Sequence, residues 1–309
     1  MREAVLWISQ ALPKKTLTPV FNHISIRDGG AMASNGLITM SHPVNDSLVA
    51  TPNGEMLVNA FKVCDGKTAI SQLDNGNLVI KAEDFKVTIP STTDAFPTLP
   101  SGGNVVPSPF AIRASLQAIR KFVSKDNARP IFRSVCFKGT SLFASNNVSI
   151  VEYWAGVHTP FNFALPVDTV DAILSIPDEP IYLEVSERWI RLHYGNGGWI
   201  HTSIMEESWP NLEPYLQGDW VSVPPAPVGL WEAVKRVRPF LGASTTVAVR
   251  GGKVVATAAE AEVLGLVGEA VYSHEHLAQL EGTALAMRFG TPLRWIGHNV
   301  RGVTYGKDA

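Results

Sequence analysis

Apolar residues in the segment 110–123 recur at helical spacing, at Ile112, Leu116, Ile119 and Val123. Apolar side chains on one face are typical of an amphipathic helix that packs on a core. After a proline, the segment Ile131–Phe137 is interpreted as an alternating strand with one buried face. The same order of helix, proline and strand occurs at the start of the chain, over Arg2–Leu12 and Val20–Ile26.

These two helix–strand segments belong to a longer internal repeat, because three pairs of segments match in chain order. The pairs are Thr18–Arg27 with Arg129–Lys138, Ala33–Leu37 with Ala144–Val148, and Phe96–Pro100 with Trp209–Glu213. The first two pairs have an offset of 111 residues (19 to 130 and 33 to 144), and the third has an offset of 113 (97 to 210). Co-linear matches at nearly one spacing indicate two copies of a domain-sized unit.

Each copy continues with a second helix and two further strands. The predicted helices are Glu55–Val63 and Asp168–Ile176, and the predicted strands are Leu78–Ala82, Phe85–Ile89, Trp189–Tyr194 and Trp199–Ile204. Helices and antiparallel strands in this order predict an α+β fold whose sheets are covered on one face.

The rest of the chain, from about Asp219, shows the same order of elements more faintly. After a proline-rich linker at 224–227, the pattern predicts a helix over Leu230–Phe240 and a hairpin that turns at Gly251-Gly252. A short helix capped by Ser273 and closing strands within 284–305 complete the unit. We therefore predict three repeated domains, at 1–103, 104–222 and 223–309.

The composition excludes several classes of protein. The 309 residues are 45% hydrophobic and 17% charged, which provides enough apolar surface for packed cores and excludes general disorder. A net charge of −2 excludes a basic tail that binds nucleic acid indiscriminately. Two cysteines exclude a disulfide scaffold, and no run of 18 apolar residues occurs. With no long apolar stretch at the N-terminus, we expect a soluble, cytoplasmic protein without a signal peptide or membrane contact.

Residues capable of catalysis or metal binding do not occur at spacings that would form a catalytic or metal-binding site. Cys64 and Cys136 lie far apart in sequence, and His274 and His276 are two positions apart, so they point to different helix faces. We expect these histidines to be solvated. The sequence has neither a phosphate-binding glycine loop nor a nucleophile elbow. It therefore predicts no enzymatic activity, no metal and no cofactor.

Basic residues are concentrated near the first helix of each copy, although the chain is slightly acidic. They are Arg2, Lys14 and Lys15 in the first copy, Arg113, Arg120, Lys121 and Lys125 in the second, and Lys235, Arg236 and Arg238 in the third. Any one of these helices alone is adequately explained as a solvated face. Their recurrence at equivalent positions favours a shared positive surface of solvent-exposed side chains that contacts phosphate groups.

These features resemble the bacterial DNA polymerase III beta subunit, the replicative sliding clamp. Arg129-Pro130-Ile131-Phe132 is similar to the family's TRPVLNGV-type strand, and Ala144–Ile150 stands where the family has ATDGHRL. Ser208–Leu212 and Ala95–Leu99 are similar to the family's FPDY segment. The likeness covers almost the whole chain, and it is specific in the first two domains and weak in the third.

The resemblance implies three DNA-clamp domains in each chain and two chains that close head to tail into a homodimeric ring. Helices would line the hole and antiparallel sheets would form the outside. The implied partners are double-stranded DNA, held without sequence preference, and a DNA polymerase and clamp loader that bind through a linear peptide motif. The implied location is the bacterial cytoplasm, at the nucleoid, or the host cytoplasm if a phage encodes the chain.

The resemblance also implies a pocket for that peptide between the second and third domains. The matching residues are Phe132, Ser145, Asn147, Val148 and Ile150 on the second-domain side and Val303, Thr304 and Tyr305 on the third-domain side. Phe132 and Ile150 fit an ordinary core equally well. The sequence departs from the family at three places: the first helix begins near residue 2 without the family's initial strand, residues 147–149 replace Gly-His-Arg, and no Met-Pro-Met-Arg-Leu ends this sequence. The last two belong to the family's partner-binding pocket, so they leave the choice of partner open.

Three functions remain open at this point. The first is a processivity clamp that encircles duplex DNA and tethers a replicative polymerase. The second is a clamp-fold interaction or regulatory protein that binds replication partners without encircling DNA. The third, a nucleotide-handling enzyme with repeated α+β domains, is opposed by the absence of catalytic motifs. Ring closure distinguishes the first two.

Overall fold

The computed structural model describes residues 1–64, 68–159, 161–205 and 208–307. The α-helices within these ranges are α1 Arg2–Ile8, α2 Gly54–Val63, α3 Ile112–Ile119, α4 Val167–Ser175, α5 Leu230–Val237 and α6 His274–Ala278. Within the described residues, none of these helices has the length and apolar character needed to cross a membrane.

The strands fall into two groups along the chain. The first fourteen are β1 Ser25–Arg27, β2 Gly30–Ser34, β3 Ile38–Pro43, β4 Ala69–Gln72, β5 Leu78–Ala82, β6 Phe85–Ile89, β7 Asn104–Pro107, β8 Ser134–Lys138, β9 Ser141–Ser145, β10 Ser149–Trp154, β11 Phe163–Pro166, β12 Tyr182–Val185, β13 Trp189–His193 and β14 Trp199–Ser203. The other strands of the described chain are β15 Thr246–Arg250, β16 Lys253–Val255, β17 Glu260–Glu262, β18 Ala270–Ser273, β19 Ala286–Arg288, β20 Leu293–Gly297 and β21 Val300–Thr304.

The chain divides into two compact units that do not coincide with the sequence repeats. Unit 1 comprises Met1–Arg113 and Asp168–Ile204, and unit 2 comprises Ala114–Val167 and Met205–Ala309. The second copy of the repeat therefore contributes residues to both units. The domain boundaries near 103 and 222, which follow the repeat, stay a prediction.

Unit 1 is built on a seven-stranded antiparallel sheet in the order β1-β2-β3-β14-β13-β12-β7. Strands of the first and second copies meet where β3 pairs with β14, with Thr39 opposite His201. A smaller sheet in the order β4-β5-β6 completes the unit. Helix α1 buries Ala4, Val5 and Ile8, and its closest strand neighbour is β3.

Unit 2 repeats this plan with strands of the second and third copies. Its larger sheet has the order β11-β8-β9-β10-β21-β20-β19, and its smaller sheet has the order β17-β16-β15-β18. The copies meet where β10 pairs with β21, and there Glu152 lies opposite Arg301. An ion pair of 2.7 Å between the Arg301 Nη2 and the Glu152 Oε2 atoms reinforces this pairing.

Packing against β21 depends on the glycine at position 302 of that strand. The Trp295 side chain is fully buried and stacks on the Phe122 ring with centroids 5.2 Å apart. A Cβ added at Gly302, on the neighbouring strand, would overlap the Trp295 indole. Glycine at this position therefore lets the largest buried side chain of unit 2 lie across the sheet.

The α+β class, the helix positions and most strands agree with the sequence prediction, but two strand starts were predicted too early. The segments Pro19–Asn22 and Pro130–Arg133 form 3-10 turns, so the strands begin at Ser25 and Ser134. Proline stands at the start of both turns, where its fixed φ and missing N–H are tolerated. The two copies thus share a turn that alternation of residue types does not reveal.

The first helix of each copy is shorter than predicted, for a common reason. Each α-helix tightens into a 3-10 turn, at Ser9–Ala11, Arg120–Phe122 and Arg238–Phe240. A tighter final turn is a frequent way to end a helix. The prediction also missed β7, which precedes α3, and Ser273 makes no side-chain cap on α6.

Candidate functional site

The turn between β9 and β10, together with the last residue of β9, holds three of the residues predicted to bind a peptide. The Asn146 Oδ1 atom accepts hydrogen bonds from the backbone N–H groups of Val148 and Ser149, at 3.2 and 2.7 Å. The Ser145 hydroxyl accepts one from the Asn147 N–H group at 3.2 Å, while Asn147 adopts a left-handed φ of 70°. Short polar side chains that bond their own turn in this way fix the backbone. The Val148 side chain is therefore presented on a rigid turn.

The β10–β21 pairing brings the third-domain residues beside this turn. Ile150 lies opposite Val303 and Ser149 lies opposite Thr304, whose hydroxyls are 3.0 Å apart. The Tyr305 N–H group donates to the Val148 carbonyl at 2.9 Å. All eight predicted pocket residues thus belong to unit 2 and lie along this pairing or pack against it.

Burial divides these residues into two groups. Phe132, Ile150 and Val303 are 8%, 7% and 0% exposed and belong to one apolar cluster. Ser145 and Thr304 are buried as well, so these five are structural components rather than open surface. The accessible members are Asn147, Val148 and Tyr305.

Aromatic residues outside the predicted set extend this accessible surface. The half-buried Trp209 packs edge-on against Phe132 with centroids 5.5 Å apart. Tyr215, which is 52% exposed, faces Tyr305 with centroids 6.5 Å apart. We name Val148, Trp209, Tyr215 and Tyr305 the aromatic groove. The third repeat match and the similarity of Ser208–Leu212 to the family's FPDY segment both contain Trp209, and no sequence signal marked Tyr215.

Cys136 lies in the same apolar cluster and is chemically inert there. Burial raises the pKa of its thiol to about 12, so the group stays protonated near neutral pH. Within the described residues, no cluster of three or more His, Cys, Asp or Glu side chains is placed to hold a metal ion.

The expectation that both histidines of α6 are solvated is wrong for His274. Its side chain is 8% exposed, and its Nε2 atom lies 3.1 Å from the Val234 carbonyl oxygen on α5. This contact joins α5 to α6 within unit 2. A buried histidine with a backbone partner is a packing residue.

The basic residues of unit 1 have different surroundings. Lys14 and Lys15 are exposed, while Arg2 is half-buried at the start of α1. The expectation that Arg113 is solvent-exposed is wrong. Its Nε atom donates to the Ile176 carbonyl at 2.6 Å, and its backbone N–H donates to the Glu179 carboxylate at 2.7 Å.

Arg113 therefore caps the C-terminal end of α4. The last carbonyls of a helix have no partner within the helix, and a cation placed there stabilises the negative end of its dipole. The Nη2 atom of Arg113 adds a longer contact to the Leu174 carbonyl, at 3.5 Å. The sequence pattern did not distinguish this structural arginine from an exposed one.

Carboxylates lie close to several of the basic residues of unit 2. The Lys235 Nζ atom lies 2.5 Å from Glu281, and the Lys125 Nζ atom lies 3.2 Å from Glu275. The half-buried Lys121 donates to the Glu281 carbonyl, and burial lowers its pKa. Arg120 is half-buried as well, so the expectation that Lys121 and Arg120 are solvent-exposed is wrong. Arg236 and Arg238, at the end of α5, are both exposed.

Comparison with known proteins finds matches by structure and none by sequence. No family model matches the chain, and no curated protein does. A Pseudomonas aeruginosa DnaN sliding clamp bound to griselimycin superposes with a TM-score of 0.84 at 12% identity, over 100% of this chain and 97% of that one. This chain has the sliding-clamp fold.

Clamps from other bacteria match equally completely. The DNA polymerase sliding clamp of Bacillus subtilis has a TM-score of 0.81 at 12% identity, and the Helicobacter pylori beta clamp in complex with 3,4-difluorobenzamide has 0.82 at 13%. Both cover 100% of this chain, which covers 97% of each. The fold implied by the sequence resemblance is confirmed, and the sequence is strongly divergent within the sliding-clamp fold.

The capping role of Arg113 predicts a measurable loss of stability. The variant Arg113→Gln leaves the last carbonyls of α4 without their partner, so we expect the free energy of unfolding to fall by about 1–3 kcal/mol. Urea denaturation followed by circular dichroism measures this change. Lys14→Gln, at an exposed position of the same unit, should change it by less than about 0.5 kcal/mol. Equal effects of the two variants would contradict the capping role.

Proposed function

We propose that the chain is a DNA sliding clamp, a non-catalytic processivity factor that encircles duplex DNA and tethers a replicative polymerase. The observation that supports this function most strongly is the match to sliding clamps over the full length of this chain and 97% of theirs. A ring that encloses DNA needs no base-specific contacts, so a net charge of −2 is compatible with it.

Ring closure requires a second copy of the chain, since the proposed ring has six domains and one chain supplies three. Sedimentation equilibrium tests this requirement directly. We expect a particle of twice the 33.5 kDa chain mass at micromolar concentration. A monomer throughout the accessible concentration range would contradict a stable homodimeric ring.

The exposed arginines at the end of α5 are the clearest candidates in unit 2 for contact with DNA phosphates. Each phosphate contact contributes about one to the slope of log affinity against log salt concentration. For Arg236→Gln we therefore expect the slope measured by anisotropy with a labelled duplex to fall by about one. Arg250→Gln removes another exposed arginine of unit 2, on β15, and should leave the slope unchanged. Equal slopes for both variants would exclude Arg236 as a phosphate contact.

We propose that the aromatic groove binds the linear peptide of a polymerase or clamp loader. Its accessible surface consists of Val148 and aromatic rings, which suits apolar peptide side chains more than charged ones. Val148 and Ser149 replace the family's His-Arg, and this also reduces the number of charged groups.

A charge at Val148 should disrupt this groove. The turn backbone is held by Asn146, so Val148→Asp should fold, but it places a carboxylate against apolar groups. Titration with a labelled peptide carrying the clamp-binding motif of a bacterial polymerase should show binding weakened tenfold or more. Val157→Asp, at a site 47% exposed in the same unit, is the matched control. Equal affinity of both variants would locate the peptide elsewhere.

A second candidate function is a clamp-fold regulatory protein that does not encircle DNA. The observation that favours it is the neutralisation of Lys125 and Lys235 by Glu275 and Glu281, which lowers the positive potential of that surface. A monomeric mass, together with no DNA binding at any salt concentration, would favour this function over the clamp.

A further inference from the structure

Unit 1 contains a cavity of about 520 Å³ that no proposed role of the protein uses. Its walls include Phe21, Leu37, Leu99 and Trp189, and its floor includes Thr39 and His201. This volume lies within the range of sites that bind small molecules or peptide side chains.

The cavity occupies the position in unit 1 that corresponds to the apolar cluster of unit 2. With the offset of 111 residues, Phe21 and Thr39 correspond to Phe132 and Ile150. The adjoining turn is also repeated, because the Asn35 Oδ1 atom accepts from the N–H groups of Leu37 and Ile38 at 2.9 Å each. Asn146 makes the same pair of bonds in unit 2.

Strand pairing gives the remaining correspondence. Thr39 lies opposite His201 in the β3–β14 pair, as Ile150 lies opposite Val303 in the β10–β21 pair. Two polar residues thus replace two aliphatic ones at the floor of the cavity. Burial, helped by the nearby Arg191 cation, lowers the pKa of His201 to about 4, so this floor carries no charge at neutral pH.

What fills the corresponding space in unit 2 is a segment of the chain itself. Leu212 and Leu216 are 8% and 2% exposed and belong to the apolar cluster, and the 3-10 turn Glu213–Leu216 carries the second leucine. With the offset of 113 residues, Leu212 corresponds to Leu99, which is half-buried and lines the cavity. The strand pairs make residues 107 and 225 counterparts, so the segment that carries Leu216 is five residues longer in the second copy (212 to 225 against 99 to 107). Unit 1 therefore lacks the second aliphatic side chain of this segment.

We propose that the cavity of unit 1 binds a short peptide of a partner protein, with an aliphatic side chain in the place that Leu216 fills in unit 2. The occupant is peptidic because a proline-containing turn of the chain fills the equivalent space. The rim carries the exposed Glu187 and Arg188, whose opposite charges cancel, so the rim favours neither an acidic nor a basic peptide. This inference does not depend on ring formation or on DNA binding.

The chain itself supplies the probe for a test. A fluorescein-labelled peptide with the sequence of residues 208–217, Ser-Trp-Pro-Asn-Leu-Glu-Pro-Tyr-Leu-Gln, is titrated with the full-length protein and followed by fluorescence polarisation. We expect saturable binding. The same peptide with alanine in place of both leucines should bind at least tenfold more weakly, and equal binding of the two peptides would overturn the proposal.

Variants locate the site in unit 1. Leu37→Asp places a charge at a cavity wall that is 59% exposed, and it should weaken binding tenfold or more. Leu73→Asp, at a leucine 44% exposed in the same unit and outside the cavity lining, is the matched control. If circular dichroism shows that Leu37→Asp is unfolded, Ser203→Trp is used as the test variant instead. This substitution fills the cavity from an exposed strand position.

Competition separates this site from the aromatic groove. An excess of unlabelled polymerase-motif peptide should leave the probe bound, since the two peptides occupy different units. Displacement of the probe, equal affinity of Leu37→Asp and Leu73→Asp, or absence of saturable binding to the wild type would each overturn the proposal.

Discussion

The pairing of strands from different copies of the repeat is the interaction on which each unit depends. Without β14 beside β3, and without β21 beside β10, each large sheet would split into two smaller sheets with open edges. Unpaired edges expose backbone donors and acceptors and promote association with other chains. The same two pairings decide which residues face each other, so Thr39 meets His201 and Ile150 meets Val303. Both candidate binding sites are therefore consequences of strand register.

Sequence reasoning reached the fold because duplication leaves a signal that single elements lack. An offset of 111 residues, found twice, identifies equivalent segments independently of the strand assignment. The offset did not identify which strands of different copies pair with each other, because residues 39 and 201 meet through a long-range pairing that local patterns do not encode. It also missed the 3-10 turns at Pro19–Asn22 and Pro130–Arg133, where apolar residues within a tight turn imitate the alternation of a strand.

The candidate sites were less predictable than the fold, and the basic residues show why. A helix that carries arginine and lysine has the same sequence pattern whether its cations face solvent, cap a helix or pair with carboxylates. Arg113 binds the end of α4, Lys235 binds Glu281, and Arg236, the next residue along, is exposed. Whether such a cation is exposed or paired depends on residues distant in sequence, such as residues 176 and 281. Only the structure separates a surface available to phosphates from one already neutralised.

The two copies of the groove region show how duplication allows one fold to carry two different surfaces. Equivalent turns, held by Asn35 and Asn146, keep the backbone of both regions in the same conformation. In unit 2 the chain completes its own core with Leu216, and the residues of the aromatic groove lie outside this core. In unit 1 the equivalent segment is five residues shorter and supplies no such side chain, and a cavity remains open. The turn fixes the shape of the site, and the side chain supplied by the following segment decides whether the site is filled or open.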